Sequence, residues 1–159
     1  MKVLTVKQPW AELICLGIKD VENRSWRCPK KFIGERVLIH AAKKSYDGPL
    51  DFDQIKAIDG FIYKKNVSRE KVSILNPPEM WNTSAIIGSV EIVDCVTNHP
   101  SVWAVDEWYN WVLANPVLFD KPILDVMGKL SFWDFDLSEK RRVKNEMGKG
   151  AGNRDGAWN

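Results

Sequence analysis

The stretch Ala85–Val96, AIIGSVEIVDCV, decides the fold. It is rich in Ile and Val, has no helix-period polar face, and reads as a strand long enough to cross a core. Gly88 sits inside it, where a missing side chain marks the bend or bulge that curls a sheet into a barrel. Other extended pieces flank it: Val3–Val6, Arg36–His40 (RVLIH), Val117–Phe119, Pro122–Leu124, and Leu130–Leu137 (LSFWDFDL) with its alternating aromatics. Short helices are expected between them. Trp10, Leu13 and Ile14 recur at i, i+3, i+4 after Pro9, and Gly17 stands where a left-handed C-terminal residue belongs, so residues 9–16 read as two helical turns. Leu50, Phe52, Ile55 and Ile58 suggest a second helix. Val105, Trp108, Trp111 and Val112 suggest a third over Ala104–Leu113, ended by Asn115-Pro116. There is no βαβ rhythm and no repeat. The expected class is α+β, β-rich: a small β-barrel decorated with short helices.

A chain of 159 residues fits one domain. The expected organisation is a single domain over residues 1–137, with a variable insertion at 45–83, and a basic, mobile tail at 138–159. Apolar residues make up 45% and charged residues 28%, which excludes a disordered chain. No apolar run reaches membrane-spanning length, and MKVLTVKQPW has no leader pattern, so a cytoplasmic protein is expected. Cys15, Cys28 and Cys95 are an odd set without CxxC spacing, and His40 and His99 are far apart; no metal or cofactor is expected, only packed, reduced thiols.

Net charge is only +2, but it is unevenly spread. Residues 19–44 hold eight Lys and Arg against three acids, whereas residues 45–138 hold seven against fourteen. A basic stripe on an acidic body suggests a local anionic partner such as a phosphate. Eight tryptophans supply core mass and candidate stacking platforms; Trp10, Trp81, Trp103, Trp108, Trp111 and Trp133, in apolar surroundings, read mostly as core.

The segment Gly17–Arg24, GIKDVENR, carries the chemistry. A turn between Lys19 and Glu22 brings Lys19, Glu22 and Arg24 together: two cations around one carboxylate. Arg grips an anion in a fork, Lys acts as a point charge, and the carboxylate suits a nucleobase amino group. Trp10 and Trp26 are placed to stack on a base, Gln8 and Asn23 offer amide edges, and Lys129 in the Gly128 turn can close the far wall. His40, at a strand end, is a further candidate. A buried ion pair that merely pins the turn accounts for the same charged triad.

Several blocks together resemble one known family. Gly17-x-Lys19-x-x-Glu22-x-Arg24 resembles the GxKxxExR signature of the ASCH domain family. Val6–Ala11 (VKQPWA), Asn23–Arg27 (NRSWR), Val37–Lys44 (VLIHAAKK), Ala85–Cys95, Trp108–Leu113 and Gly128–Trp133 are similar to its other ordered segments. The resemblance covers residues 3–44 and 84–137 well and the rest poorly. It implies a PUA-like β-barrel with a cleft lined by the signature residues, binding RNA or a modified nucleotide or nucleoside. Some relatives are amidohydrolases of N4-acetylcytidine, and others have been proposed to cut RNA. In the amidohydrolases the position matching Glu22 is a Thr nucleophile, partnered by the lysine matching Lys19. Here Glu22 stands in its place, and a carboxylate is better suited to general-base work on water. Three readings follow: an RNA- or nucleotide-binding domain with no membrane partner; a hydrolase of N-acylated nucleosides or a ribonuclease, with Lys19 and Glu22 catalytic; and a non-catalytic interaction domain working through its insertion and tail.

Overall fold

The computed structural model describes residues 1–136 and Ser138. Strand β1 (Lys2–Val6) leads to helix α1 (Trp10–Leu16), β2 (Val21–Arg24), β3 (Glu35–Ala41), α2 (Phe52–Lys65), β4 (Ala85–Thr97), β5 (Tyr109–Ile123) and β6 (Phe132–Asp134). The six strands form one sheet in the order β2-β5-β4-β3-β1-β6. β1 and β3 pair in parallel; the other neighbours are antiparallel. This is the expected α+β barrel, a curled mixed sheet with two helices.

The curl is written into β4. Its pairing with β5 slips at three places, one of them at Gly88, and each extra residue bends the strand. Gly88 is also where α1 lies closest to the sheet. A Cβ there would meet the Val117 carbonyl and come within 2.6 Å of the Cys15 sulfur. Inside the curl, Ile14 of α1 packs with Val37, Ile39, Ile87, Ile92 and Trp111.

The helix expected over Ala104–Leu113 is not formed. Residues 99–107 are turns, and Tyr109–Ile123 is one long strand that absorbs both extended pieces expected further on. Strand register explains the misreading. Trp111, fully buried, faces the core from β5, while Trp108 lies beyond the strand and is 44% exposed. Their three-residue spacing spans a turn. Asn115, at φ 49°, further disturbs the strand's alternation. The last strand is also shorter than Leu130–Leu137, with Leu130 and Ser131 outside it and Leu137 outside the described residues.

Helix α1 ends as expected, with Gly17 at φ 79° and its N–H on the Ile14 carbonyl. Its start is less obvious. The Gln8 side-chain oxygen accepts the Glu12 N–H at 3.0 Å, occupying a donor that Pro9 has no side-chain oxygen to cap. Residues 45–83, expected as an insertion, contribute α2, capped by Asp51 and Gln54 in a reciprocal box, and three short 3-10 turns. They cover α1 through Ile58, Val72 and Ile74, packed on Leu13, Ile18 and Trp103. The proposed tail, residues 138–159, lies outside the described residues apart from Ser138.

One polar contact fastens this cover. The buried Glu12 carboxylate accepts the Ser73 hydroxyl at 2.6 Å and the Ile74 N–H at 2.9 Å. Burial pushes its pKa above 4.5, and those hydrogen bonds only partly oppose the shift. Folding therefore favours the protonated carboxyl, so this group's contribution is most favourable below pH 4.5 and is lost as pH rises through the folded value. Glu12→Gln removes the charge and keeps an acceptor. We expect it to raise the urea midpoint relative to wild type at about pH 7, with the difference closing as the titration is repeated towards about pH 4.

Candidate functional site

Lys19 follows the Gly17 stop in an irregular turn, while Glu22 and Arg24, two residues apart, share one face of β2. Lys19 folds back so that Nζ donates to the Val21 carbonyl and to Glu22 Oε2, the latter at 3.1 Å. Arg24 Nε lies 3.2 Å from Glu22 Oε1, as an ion pair off the hydrogen-bonding line. Arg24 Nη2 reaches away from its own strand and donates to the Thr5 carbonyl of β1 at 2.9 Å. Lys19 is only 4% exposed and Glu22 8%. The three expected charges therefore form one chain, cation–carboxylate–cation, across the open side of the curled sheet.

Above that chain is a cleft of about 580 Å³, lined by Glu22, Asn23 and Arg24 and by Trp10, Trp26, Tyr46 and Trp108. A smaller recess of about 210 Å³ lies against Lys19, Glu22, Trp10 and Trp103. The larger volume suits a drug- or nucleotide-sized molecule. Exposed Lys7 and Lys129 line the cleft as well, with the Ser25 and Ser131 hydroxyl side chains. Trp10 is held by Tyr46, with ring centroids 5.1 Å apart, and by the edge of Trp103 at 6.0 Å. Trp26 meets Trp111 edge-on at 4.7 Å.

The expected amides sit close by but are engaged within the protein. Gln8, 1% exposed, donates to the Asn82 carbonyl and accepts from Glu12. Asn23 donates to Trp103 O and accepts from Val105 N and from the Asn110 side chain. Together with Asn110, whose oxygen takes the His99 N–H, Asn23 holds the 98–108 loop over the cleft. Glu91 pairs with Arg36 and Asn115, and neither it nor Glu107 lines the cleft.

His40 is not beside the triad. It lines a neighbouring compartment of about 610 Å³ that shares Thr5, Ala42, Lys129 and Leu130 with the triad cleft. Lys129 thus stands at the junction, its ammonium 5.8 Å from the Trp133 ring. His40 Nε2 donates to the Val126 carbonyl at 2.8 Å, and burial holds the ring's pKa below 6.5.

Sequence reasoning missed Tyr46 and Lys7 as lining residues and placed Trp108 in the core. A tyrosine just after the basic Lys43-Lys44 pair was the available signal for the first. Cys15, Cys28 and Cys95 are free thiols, and burial pushes Cys28 up to about 11. Among the described residues no three His, Cys, Asp or Glu side chains are placed to hold a metal, and no helix is long and apolar enough to cross a membrane.

A small curled barrel with a charge-floored, aromatic-walled cleft between its sheet edges defines a PUA-like domain. The chain belongs to the ASCH domain family, whose model matches residues 4–123. It is 31% identical over 94 residues to Activating signal cointegrator 1 of Homo sapiens, and 30% over 94 residues to that of Mus musculus. Each match covers 59% of this chain and 14% of the relative, so the chain spans only a small part of those proteins' length. In fold it resembles ZmASCH from Zymomonas mobilis, solved as a serine-to-alanine mutant, with a TM-score of 0.51 at 14% identity, covering 91% of this chain and 94% of the other.

Removing the carboxylate should expose its structural weight. Glu22→Ala leaves the Lys19 ammonium buried without a counter-charge, and we expect a loss of about 3–5 kcal/mol in urea unfolding. Lys19→Met combined with Glu22→Gln should recover much of that loss, since no buried charge is then left unpaired.

Proposed function

We propose that this ASCH domain binds RNA or a modified nucleotide in the triad cleft, in a cytosolic setting where its three thiols stay reduced. The observation that carries the reading is the coincidence, in one nucleotide-sized cleft, of a cationic floor, aromatic walls and a lysine rim. Each element has a natural counterpart on a nucleotide. Trp108 and Tyr46, both exposed, offer faces for base stacking. Lys7 and Lys129 suit phosphate oxygens. Each Glu22 oxygen holds one cation and keeps a further lone pair, which suits an exocyclic amino group on cytosine, adenine or guanine.

The same geometry weighs against hydrolysis in this cleft. As nucleophile or general base, Glu22 would have to act while held by Lys19 and Arg24. Lys19 itself is committed to Val21 O and Glu22. Turnover of an N-acylated cytidine or an RNA that disappears in Glu22→Gln would reverse this preference.

Trp108→Ala and Lys129→Ala change exposed side chains and should leave folding intact. Measured by fluorescence anisotropy with a short single-stranded RNA, Trp108→Ala should weaken binding by about tenfold or more, the value of one stacked base. Lys129→Ala should weaken it and reduce the slope of log K against log salt by about 0.7, one phosphate on a single strand. If both folded variants bind as wild type does, the reading is wrong.

A further inference from the structure

The compartment beside the triad cleft contains a polar atom that the protein leaves unused. His40 is 1% exposed, and its Nε2 faces the Val126 carbonyl at 2.8 Å. A carbonyl only accepts, so the proton is on Nε2. Burial keeps the ring neutral, and Nδ1 is therefore a bare lone pair. No described group donates to it. Trp133 presents its ring at 5.8 Å in an edge-on arrangement, but spends its indole N–H on the Thr5 hydroxyl oxygen at 3.1 Å. An orphaned acceptor of this kind is costly unless something else satisfies it.

The space over Nδ1 is kept open by the absence of one side chain. A Cβ on Gly128 would stand 2.8 Å from Nδ1 and 2.7 Å from Cε1. Gly128 needs no positive φ to explain it, since it is not among the glycines with φ above zero. The close approach to the imidazole is its constraint. The compartment opens into the triad cleft through Thr5, Ala42, Lys129 and Leu130, with Leu130 96% exposed at the lip.

We propose that the His40 compartment is a second nucleotide subsite, in which Nδ1 accepts a hydrogen bond from the exocyclic amino group of a base adjoining the one in the triad cleft. The proposal rests on the nucleotide reading of that cleft and specifies its ligand as at least a dinucleotide. Lys129, common to both compartments, takes the linking phosphodiester. Cytosine, adenine and guanine carry the required donor, and uracil presents a carbonyl there, which meets the Nδ1 lone pair unfavourably. The acceptor thus discriminates between bases as well as adding affinity.

The test uses the full chain with CMP and the four ribodinucleotides CpC, CpU, UpC and UpU, read by calorimetry and by the ¹⁵N resonances of labelled histidine. At one of the two dinucleotide positions, cytosine should outbind uracil by roughly threefold to tenfold, the value of one neutral hydrogen bond. The Nδ1 resonance of His40 should move with that ligand and not with CMP. His40→Gln keeps an amide donor for Val126 O and has no Nδ1. It should erase the preference at that position while leaving CMP affinity and the other position unchanged. Gly128→Ala, which fills the gap, should do the same. The proposal is overturned if the preference survives in His40→Gln, or if no such preference exists while CMP binds. If neither CMP nor any dinucleotide binds wild type, the reading of the triad cleft fails and the subsite with it.

Discussion

A six-stranded sheet that curls without closing leaves two edges facing one another, and in this protein a guanidinium crosses the gap. Arg24 projects from edge strand β2, pairs with Glu22 on its own strand and donates to the Thr5 carbonyl of β1. β6 reaches only Lys2–Leu4, so the end of β1 has no strand on that side, and Arg24 meets its backbone there. Just inside, Trp111 of β5 stacks on Phe132 of β6, centroids 5.4 Å apart and planes within 9°, with the Arg24 carbon 5.9 Å from the Trp111 ring. Charge and aromatic stacking together hold the two sides of the sheet where hydrogen-bonded strands would otherwise be needed. An unpaired edge invites association, and this arrangement occupies it with charge.

Because the bridge crosses an opening, it is both a fastening and a floor. That removes the opposition between the two readings of the triad. A buried ion pair that pins a turn and an anion-recognition cluster are usually alternatives, but here Lys19 and Glu22 do the pinning below and the outer part of Arg24 remains beside the cleft. The amides divide in the same way. Gln8 fixes the start of α1, and Asn23 fixes the loop that carries Trp103 and Trp108. Polar groups that look available in one dimension are consumed in building the walls, and base recognition passes to the aromatic faces, the rim lysines and the hydroxyls.

What could be read from the sequence was local. Gly17 as a helix stop, Lys19, Glu22 and Arg24 as a cluster, and the Gly88 bend each depend on neighbours a few residues away, so spacing and backbone chemistry suffice. The long β5 was not legible, because the Trp108–Trp111 spacing imitates a helical turn and Asn115 interrupts the strand pattern. Trp108 could not be sorted from the core tryptophans. Its exposure depends on a loop held by Asn23 and Asn110, contacts 82 and 87 residues apart in sequence for the Asn23 oxygen. His40 was visible as a candidate, but its placement in a separate compartment depends on Val126 and Gly128 across the fold.

This division constrains how such a cleft can diversify. Substituting a residue of the floor alters the fold and the ligand site together, since Lys19, Glu22 and Arg24 each hold part of the seam. A hydroxyl at position 22, as in the amidohydrolases this domain resembles, would free Lys19 for chemistry but remove the anion between two cations. With Glu22 in place, the lysine is neutralised and buried, and the cleft is built to hold rather than to react. Changes in what it holds can then come from the exposed positions, Lys7, Tyr46, Trp108 and Lys129, whose side chains carry little of the fold.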